Sequence, residues 1–342
     1  MRLLLISNGY PSKDLPFASI YVKNHFERLK KVPGYTVDKH VILRKYTATI
    51  GSIVKLTKCF VAFFGKIIKS YDIVHVHFLS PIYILAYFYK IIRPKSTIVL
   101  TLHGSDINKL SNRYLIKIYS FLLNKNDITI AVSDELKRKA EQLLSIKVDY
   151  VLSAGFNDDV FSNSGLSYQE RDIDFLFVGT FKPIKGLDTL IKSIETLDNN
   201  EIKFVFVGVG PLKENIDALV GRYNVTVIDG LSQERLNDIY NKAKFFVLPS
   251  RNEGFNIALL EANFCGTPAI VRNIPALQNQ VNEWDNGFLF NNVDDLVDII
   301  NRCYQLTDSE WESLSYNSTV KSKDYSLTNV INKMRDIYEK KG

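Results

Sequence analysis

Short apolar runs alternate with segments of helical periodicity along the 342 residues of the chain. Buried strands of a parallel sheet are continuous apolar runs, because helices cover both faces of the sheet. The first set of such runs comprises 3–6, 40–43, 73–78, 97–102, 128–132 and 148–152, and the second comprises 174–178, 203–207, 226–228, 245–248 and 268–271. The pattern therefore predicts an α/β protein with two doubly wound parallel sheets.

A polar segment over 157–172 separates the two sets of strands and indicates a boundary between domains. We expect an N-terminal domain over 1–160, a second domain over 161–320, and a C-terminal helical segment over 321–342. The apolar stripe of that last segment is formed by Val330, Met334 and Ile337.

The composition is that of a soluble globular protein, with 46% hydrophobic and 23% charged residues. The three cysteines are far apart and form no Cys-x-x-Cys pair, which argues against a disulfide framework or a zinc site and favours a reducing compartment. The first apolar stretch is too short for a signal peptide, and no stretch is typical of a membrane span. We expect the protein in the cytoplasm or at the inner face of the cell membrane.

Positive charge is concentrated in the first half of the chain. Residues 1–165 carry 24 Lys and Arg against 12 Asp and Glu, whereas the whole chain has a net charge of only +6. The first half therefore favours an anionic partner. Nothing resembles a nucleic-acid-binding module, so we expect no nucleic acid and favour a membrane-proximal acceptor.

A helix predicted over 53–68 could bring the first half to an anionic membrane surface. Its lysines, Lys55, Lys58, Lys66 and Lys69, project within one narrow arc. One hypothesis is that they face lipid headgroups while the apolar side of the helix lies in the protein core. The alternative is an ordinary surface helix with its lysines in water.

The most informative stretch is 247–271, VLPSRNEGFNIALLEANFCGTPAIV. An apolar strand ends in a Pro-Ser turn, and a loop carrying Glu253 follows. A helix that begins near Phe255 and ends at Cys265-Gly266 carries Glu261. Because the free amides and dipole of a helix N-terminus bind anions, the two carboxylates flank a site for a diphosphate. The spacing suits a nucleotide sugar, with sugar hydroxyls on Glu253 and ribose hydroxyls on Glu261.

This stretch resembles the donor-binding signature of glycosyltransferase family 4, the retaining enzymes of GT-B fold. The shared features are the Pro-Ser turn, Glu253-Gly254-Phe255, Leu260-Glu261-Ala262 and Cys265-Gly266-Thr267-Pro268. The resemblance spans nearly the whole chain, with further matches at 97–106 and 177–186. It implies two facing Rossmann-like domains and a C-terminal helix that crosses back onto the first.

The resemblance also implies roles for individual residues. His103 is expected beside the transferred sugar, and Lys185 is expected to neutralise the donor diphosphate. With Glu253 they form the expected catalytic set. The expected donor-binding residues are Thr180, Lys182, Gly210, Leu231, Gly254, Phe255, Asn256, Ile257, Ala258, Leu259 and Glu261, and the expected acceptor-side residues are Ser19 and Asp106.

The chain departs from the family pattern at two of these positions. Ser19 stands where family members usually have glycine in the first loop, and Thr180 stands where they have a diphosphate-binding arginine. Lys182 could supply the missing charge, although a lysine is a compact point charge rather than a bidentate fork.

Metal binding is the less favoured interpretation throughout. His75 and His77 share a face of one strand, but no third ligand has a suitable spacing, so a buried hydrogen-bonded pair is favoured. We see no Asp-x-Asp motif that would place a metal under the diphosphate. The expected enzyme needs no metal and no cofactor beyond the nucleotide sugar, and Lys185 and the amides of 256–259 would stabilise the leaving group.

The function implied is a retaining transfer of a sugar from a nucleoside diphosphate sugar to a membrane-associated glycan or lipid-linked acceptor, in cell-surface polysaccharide or glycoconjugate synthesis. Two alternatives remain open. A nucleotide-dependent oxidoreductase with paired Rossmann lobes would need a full Gly-x-Gly-x-x-Gly after the first strand, which Asn8-Gly9-Tyr10-Pro11 lacks. A catalytically inactive sugar-binding relative is compatible with threonine at position 180.

Overall fold

The computed structural model describes residues 1–12, 19–43, 50–124 and 126–340, with the backbone alone for residue 43 and for 50–58. The chain divides into two compact units. The first is Met1–Gly155 together with Leu327–Gly342, and the second is Phe156–Ser326. Each unit contains a six-stranded parallel sheet. The predicted α/β class with two Rossmann-like domains is therefore confirmed.

The sheet of the first unit has the strand order β2-β1-β3-β4-β5-β6. Its strands are β1 (Arg2–Tyr10), β2 (Thr36–Leu43), β3 (Ile73–His77), β4 (Thr97–Leu102), β5 (Ile128–Ala131) and β6 (Tyr150–Val151). Its helices are α1 (Ile20–Lys30), α2 (Ile50–Ile67), α3 (Tyr83–Ile92), α4 (Arg113–Leu123), α5 (Asp134–Leu144) and the C-terminal α13 (Leu327–Glu339). Because crossovers between parallel strands are right-handed, α1 covers one face of the sheet and α2 to α5 cover the other.

The sheet of the second unit has the order β12-β11-β10-β7-β8-β9. Its strands are β7 (Ile173–Val178), β8 (Phe204–Val207), β9 (Val225–Ile228), β10 (Ala243–Leu248), β11 (Ala269–Arg272) and β12 (Gly287–Phe290). Its helices are α6 (Leu187–Thr196), α7 (Lys213–Asp217), α8 (Gln233–Lys242), α9 (Ile257–Phe264), α10 (Pro275–Gln278), α11 (Val293–Tyr304) and α12 (Asp308–Ser322). Strand β12 was missed from the sequence, because it opens with a glycine and only three of its residues form an apolar run after the polar segment 282–286.

The direction of the chain reverses at one place in each sheet. In the second unit, β7 and β10 are neighbours, but the chain leaves them toward opposite edges of the sheet. Right-handed crossovers then put α6 and α9 on opposite faces, which opens a crevice beyond the carboxyl ends of β7 and β10. The corresponding crevice in the first unit lies between β1 and β3. Ligands of open α/β sheets bind at such crevices.

The C-terminal helix α13 belongs to the first unit. The side chains of Val330, Met334 and Ile337 are buried in the same core as Leu3 and Val99 of the first sheet. The hydroxyl of Tyr338 also lies 2.6 Å from Nδ1 of His75 on β3. The apolar stripe seen in the sequence therefore anchors the end of the chain on the sheet formed by its beginning.

Helix α2 differs from the expectation that its apolar side lies in the core. Phe63 is buried, but Val61 and Phe64 are exposed, and Ile68, just beyond the helix, is 80% exposed. The Nζ atoms of Lys66 and Lys69 lie 3.9 Å and 3.0 Å from carboxylate oxygens of Asp38 on β2. The side chains of Lys55 and Lys58 lie outside the described residues. No helix in the described part of the chain is long and apolar enough to span a membrane.

Candidate active site

A lysine and a glutamate meet at the crevice of the second unit. Lys185 follows β7 in a short 3₁₀ turn, Pro183–Lys185, and Glu253 lies in the loop after β10. The Lys185 Nζ lies 2.6 Å from Oε1 of Glu253, with 20% and 10% of the two side chains exposed. The structure thus brings together two of the three residues expected to be catalytic, which are 68 positions apart in the chain.

Close packing of the two loops fixes this pair. Gly186 has a φ of 67°, and a Cβ there would collide with the carbonyl oxygen of Pro249 at the end of β10. Only glycine suits both the left-handed backbone and this close approach. The amide of Arg251 also donates to the carbonyl of Ile184 at 2.9 Å, and its guanidinium bonds to Asp188 at the start of α6. The loops therefore hold Lys185 and Glu253 at a set distance.

Helix α9 begins slightly later than predicted, at Ile257, and Asn256 is its N-cap. The Oδ1 of Asn256 accepts a hydrogen bond from the amide of Leu259 at 2.9 Å, and its Nδ2 donates to Oε1 of Glu253 at 3.0 Å. The amides of Ile257 and Ala258 belong to the first turn, where no intrahelical acceptor exists. The end of α9 at Cys265, followed by Gly266 with a φ of 73°, confirms the predicted stop.

Gln280 was missed by the sequence analysis. Its side chain is only 2% exposed and bonds to both backbone groups of Asn256. The amide of Asn256 donates to Oε1 of Gln280 at 3.4 Å, and Nε2 of Gln280 donates to the carbonyl of Asn256 at 3.2 Å. A buried amide that supports the first turn of α9 from a loop 24 positions away gives no local pattern in the sequence.

Glu261 lies on α9 and is almost fully buried, with 6% of its surface exposed. The hydroxyl of Tyr240 on α8 donates to its Oε2 at 3.2 Å. Burial raises the pKa of Glu261 to about 8, and the bond from Tyr240 only partly offsets this rise. The carboxyl group is therefore largely protonated at neutral pH until another donor or a cation approaches it.

Arg171 connects the helices that carry Tyr240 and Glu261. It is 2% exposed, and its guanidinium donates to the carbonyls of Tyr240 at 3.3 Å and Cys265 at 3.1 Å, and to Oγ1 of Thr267 at 3.0 Å. A cation near the C-terminal ends of helices interacts favourably with their dipoles. Arg171 therefore helps to fix α8 against α9.

The remaining donor-side candidates lie around the same crevice. Thr180 and Lys182 are exposed in the loop after β7. Gly210 has a φ of 156°, and a Cβ there would lie 2.6 Å from the carbonyl oxygen of Phe181, so this glycine allows the loop after β8 to pack on the loop after β7. Leu231 is partly buried against the core, and the ring of Phe255 lies 5.5 Å from that of Tyr325.

One Asp-x-Asp sequence does occur, but it lies far from this crevice. Asp172 and Asp174 are at the amino end of β7, opposite the carboxyl ends where ligands bind. Asp174 pairs with Lys244 at 2.9 Å, and Asp172 pairs with Lys203 at 3.5 Å. Among the described residues, no group of His, Cys, Asp or Glu has a geometry that could hold a metal ion.

In the first unit, the expected catalytic His103 follows β4 and contacts His77 at the end of β3. Nε2 of His103 lies 3.0 Å from Nδ1 of His77, so one ring must donate a proton to the other. Nε2 of His77 is buried and has no partner among the described residues. Burial lowers the pKa of both rings well below the ordinary value, and the two therefore form a neutral hydrogen-bonded pair.

Two more histidines extend this pair into a cluster. His75 stacks on His77 with ring centroids 4.3 Å apart and bonds to Thr101 and Tyr338. His25 on α1 lies 5.4 Å from His77 and donates from Nε2 to the carbonyl of Ala154 at 2.5 Å. Burial lowers the pKa of His25 to about 4 and that of His75 to about 3. His75 and His77 are therefore buried and hydrogen-bonded, which is the arrangement that the sequence analysis favoured.

Asp106 holds the backbone around His103. Its carboxylate accepts hydrogen bonds from the amides of Leu79, His103 and Ile107 at 2.9–3.2 Å. Burial raises its pKa to about 6 in spite of these bonds. The loop after β3, whose Leu79 amide bonds to Asp106, contains Phe78 with a φ of 73°, a rare conformation for an aromatic residue and one that is often found at functional sites.

Ser19 caps the N-terminus of α1 without a side-chain cap bond. Its φ of 53° and ψ of 39° are left-handed. Glycine adopts this conformation more readily than other residues, which gives a physical reason for the glycine that family members usually have at this position.

Comparison with known proteins identifies the two halves separately. Residues 22–151 match the family described as Glycosyltransferase Family 4, and residues 163–319 match Glycosyl transferases group 1. An uncharacterised glycosyltransferase of Methanocaldococcus jannaschii is 30% identical over 99% of this chain and 98% of its own length. The chain belongs to glycosyltransferase family 4. This family-4 chain is also 26% identical to N-acetyl-alpha-D-glucosaminyl L-malate synthase of Bacillus anthracis, over 71% of the chain and 67% of that protein.

Solved structures agree on the GT-B fold of the glycosyltransferase. Sucrose-phosphate synthase from Thermosynechococcus elongatus has a TM-score of 0.77 at 19% identity, covering 99% of this chain and 98% of that one. HepE of Anabaena, in complex with UDP and glucose, has a TM-score of 0.76 at 15% identity, covering 99% and 100%. The family matches and the relative from Methanocaldococcus jannaschii show that the protein is an enzyme that transfers a sugar, which argues against the oxidoreductase alternative.

Proposed function

We propose that the enzyme uses a nucleoside diphosphate sugar as donor and binds it at the crevice of the second unit. The observation that carries this proposal is the Lys185–Glu253 contact of 2.6 Å beside the first turn of α9. A cation and two helix-terminal amides suit a diphosphate, and an adjacent carboxylate suits sugar hydroxyls. The similar solved structures with TM-scores above 0.7 include HepE with UDP-glucose, so UDP sugars are the first donors to test.

In the proposed reaction, the bond between the anomeric carbon and the diphosphate breaks with its electron pair passing to the diphosphate. The amides of Ile257 and Ala258 and the Lys185 ammonium stabilise the negative charge that develops there. The acceptor oxygen attacks from the face that the diphosphate leaves, so the anomeric configuration is retained, and its proton passes to the departing diphosphate.

Glu253 has an orienting role in this proposal. Its Oε1 already accepts from Lys185 and Asn256, so Oε2 is the oxygen offered to sugar hydroxyls. Glu261 binds the ribose hydroxyls, and the resemblance to the family assigns His103 a hydrogen bond to the transferred sugar. The proposed reaction uses no metal, because the diphosphate charge is met by Lys185, with Lys182 as a second cation, and by backbone amides.

We place the acceptor on the basic first unit and propose a membrane-associated glycan or a lipid-linked acceptor. The charge of residues 1–165 supports this assignment, with 24 Lys and Arg against 12 Asp and Glu. Among the relatives is a putative teichuronic acid biosynthesis glycosyltransferase of Bacillus subtilis, 23% identical over 80% of this chain, which supports a role in cell-surface polysaccharide or glycoconjugate synthesis.

The decisive test is a screen of nucleotide sugars by thermal unfolding, followed by product analysis. A ligand present at 100 times its dissociation constant adds about 2.7 kcal/mol to the unfolding free energy. The donor that stabilises most is then incubated with the enzyme and a chelator, and NMR reads the anomeric configuration of the product. Inversion at the anomeric carbon contradicts the proposed mechanism, and loss of activity with the chelator contradicts its independence of metal.

A further inference from the structure

Exposed apolar side chains are concentrated on three helices of the first unit. Of the 17 large apolar residues that are exposed in the described part of the chain, ten lie on or next to α2, α3 and α4. We call these ten the outer apolar surface. They are Val61, Phe64 and Ile68 at α2, Phe88, Ile91 and Ile92 on α3, and Tyr114, Leu115, Ile118 and Phe121 on α4.

The spacing of these residues makes a stripe on each helix. Successive members of each group are three or four positions apart, except for one adjacent pair in two of the groups, so each group lies on one side of its helix. These stripes point to solvent, whereas an amphipathic helix of a soluble protein normally turns its apolar stripe to the core. Tyr114 is 72% exposed and Phe64 is 68% exposed, although Tyr119 and Phe63 on the same helices are buried.

The three stripes also share one face of the molecule's first sheet. The chain moves in one direction across the sheet from β2 to β3, β4 and β5, and right-handed crossovers place α2, α3 and α4 on the same face. Helix α2 packs beside α3. The outer apolar surface therefore belongs to a single layer of helices.

Within the segment that contains α2, α3 and α4, the charges are almost all positive. Residues 50–125 contain eleven Lys and Arg but only two acidic residues, Asp72 and Asp106. Asp72 accepts a hydrogen bond from the amide of Arg2 at 2.6 Å, and Asp106 is held by three amides. The exposed cations of the layer include Arg93, Lys95, Lys109, Arg113 and Lys117. A second copy of the chain would bring the same positive charge to this surface, which disfavours self-association.

We infer that the outer apolar surface inserts into the interfacial region of an anionic lipid bilayer, with the flanking cations at the headgroups. Apolar stripes beside Lys and Arg are the features by which helices lie in a membrane interface without crossing it. The alternative is a purely electrostatic contact made by the α2 lysines. It is less favoured, because Lys66 and Lys69 already lie next to Asp38. The inference deepens the proposed function, since a lipid-linked acceptor would be presented at this surface.

Vesicle cosedimentation of the full chain tests the inference. The test variant is Phe64→Gln with Ile91→Gln and Ile118→Gln, one exposed residue from each helix. The matched control is Val220→Gln with Tyr316→Gln and Val320→Gln, which removes three exposed apolar residues from the second unit. Vesicles of phosphatidylcholine and phosphatidylglycerol in equal parts are compared with vesicles of phosphatidylcholine alone.

We expect the wild type and the control to bind the anionic vesicles and the test variant to bind at least about tenfold more weakly, because it loses buried apolar area. About 1 M salt, where the Debye length is about 3 Å, should weaken wild-type binding without abolishing it. The test variant should show no binding that survives this salt concentration. Thermal stabilisation by the donor nucleotide should be the same in all three proteins, which separates this inference from the donor site.

Three results would overturn the inference. Equal sedimentation of the wild type and the test variant would show that the apolar residues do not insert. Complete loss of wild-type binding in high salt would mean that the contact is electrostatic alone. A wild-type dimer that the test variant converts to a monomer, measured by light scattering, would identify a second copy as the occupant.

Discussion

The carboxyl ends of the two sheets are built from opposite kinds of groups. In the first unit they carry a cluster of buried histidines that burial keeps neutral. In the second unit they carry a close ion pair, Lys185 with Glu253, and the first turn of a helix. Both units have six parallel strands and the same crossover hand, so the difference lies in the loops that follow the strands.

The difference matches two kinds of ligand chemistry. Neutral hydrogen-bonding groups in a low dielectric can hold an uncharged sugar hydroxyl in a fixed direction without repelling any charge. A cation and helix amides stabilise a charge that grows during the reaction. On the proposed function, the charged groups of the second unit therefore suit the leaving group, and the neutral groups of the first unit suit uncharged hydroxyls.

The largest effect expected is from Lys185→Ala. Removal of a preorganised group from the leaving diphosphate should lower turnover by about 10²–10³-fold, and more than it weakens donor binding, because the charge develops in the transition state. Initial rates and calorimetric affinity for the nucleoside diphosphate separate the two effects. The matched control is Lys182→Ala, an exposed lysine of the same loop. A loss in the control equal to that in Lys185→Ala would mean that the loop needs total charge rather than a placed cation.

The Lys185–Glu253 contact could be predicted only in part from the sequence. The turn after β10 and the helix stop at Gly266 follow local rules of turn and cap chemistry and were recognised, whereas the loop over 177–186 was recognised by its resemblance to the family. Their meeting could not be derived from local pattern, because it depends on the strand order that makes β7 and β10 neighbours. The same holds for Gln280 and Tyr240, whose partners lie 24 and 21 positions away.

The outer face of the first unit shows a different kind of limit. The helical periodicity of α2 was recognised, but periodicity gives only the relative positions of the apolar residues around the helix. It does not say which side faces the sheet. In α2 the buried side includes Phe63 and Cys59, which lie against His40, and a second apolar stripe is left in solvent. The assumption that all apolar residues of a helix turn inward produced the error.

The second-largest effect should follow Glu261→Ala. If Glu261 ionises when it accepts from the ribose hydroxyls, loss of this charged acceptor weakens nucleotide binding by about 1.5–3 kcal/mol. The measurement is the dissociation constant of the free nucleoside diphosphate. Glu261→Gln serves as a control for packing, because it keeps the volume and an acceptor for Tyr240. Unchanged affinity in the alanine variant would remove Glu261 from the ribose site and leave it a structural role with Tyr240.

A smaller effect is expected from Glu253→Gln. Its turnover should fall by at least about tenfold, because an amide oxygen accepts from a sugar hydroxyl and from Lys185 more weakly than a carboxylate does. Affinity for the free nucleoside diphosphate, which lacks the sugar, should barely change. A parallel loss of nucleotide affinity would show that Glu253 acts through the position of Lys185 rather than on the sugar.

Two further effects are on stability, and the pH dependences of His25 and Glu261 have opposite signs. The pKa of His25 is lowered to about 4 from 6.5, so below pH 6.5 the unfolded chain binds a proton that the folded chain does not. Stability is then lost as the pH falls from 6.5 towards 4, by about 1.4 kcal/mol per pH unit for one such group. His25→Gln, whose amide can still donate to Ala154, should show a shallower loss in chemical denaturation between pH 6.5 and 4.5.

Glu261 should produce the opposite slope. Its pKa is raised to about 8 from 4.5, so between these values the folded chain holds a proton that the unfolded chain has released, and stability falls as the pH rises. Glu261→Gln cannot ionise and keeps an acceptor for Tyr240. The difference in unfolding free energy between this variant and the wild type should therefore increase in favour of the variant, by up to about 1.4 kcal/mol per pH unit between pH 5 and 8. A wild type and a variant that run parallel over this range would mean that Glu261 is ionised in the folded enzyme. Every carboxylate of the donor crevice in the second unit would then be charged, in contrast to the neutral histidines of the first unit.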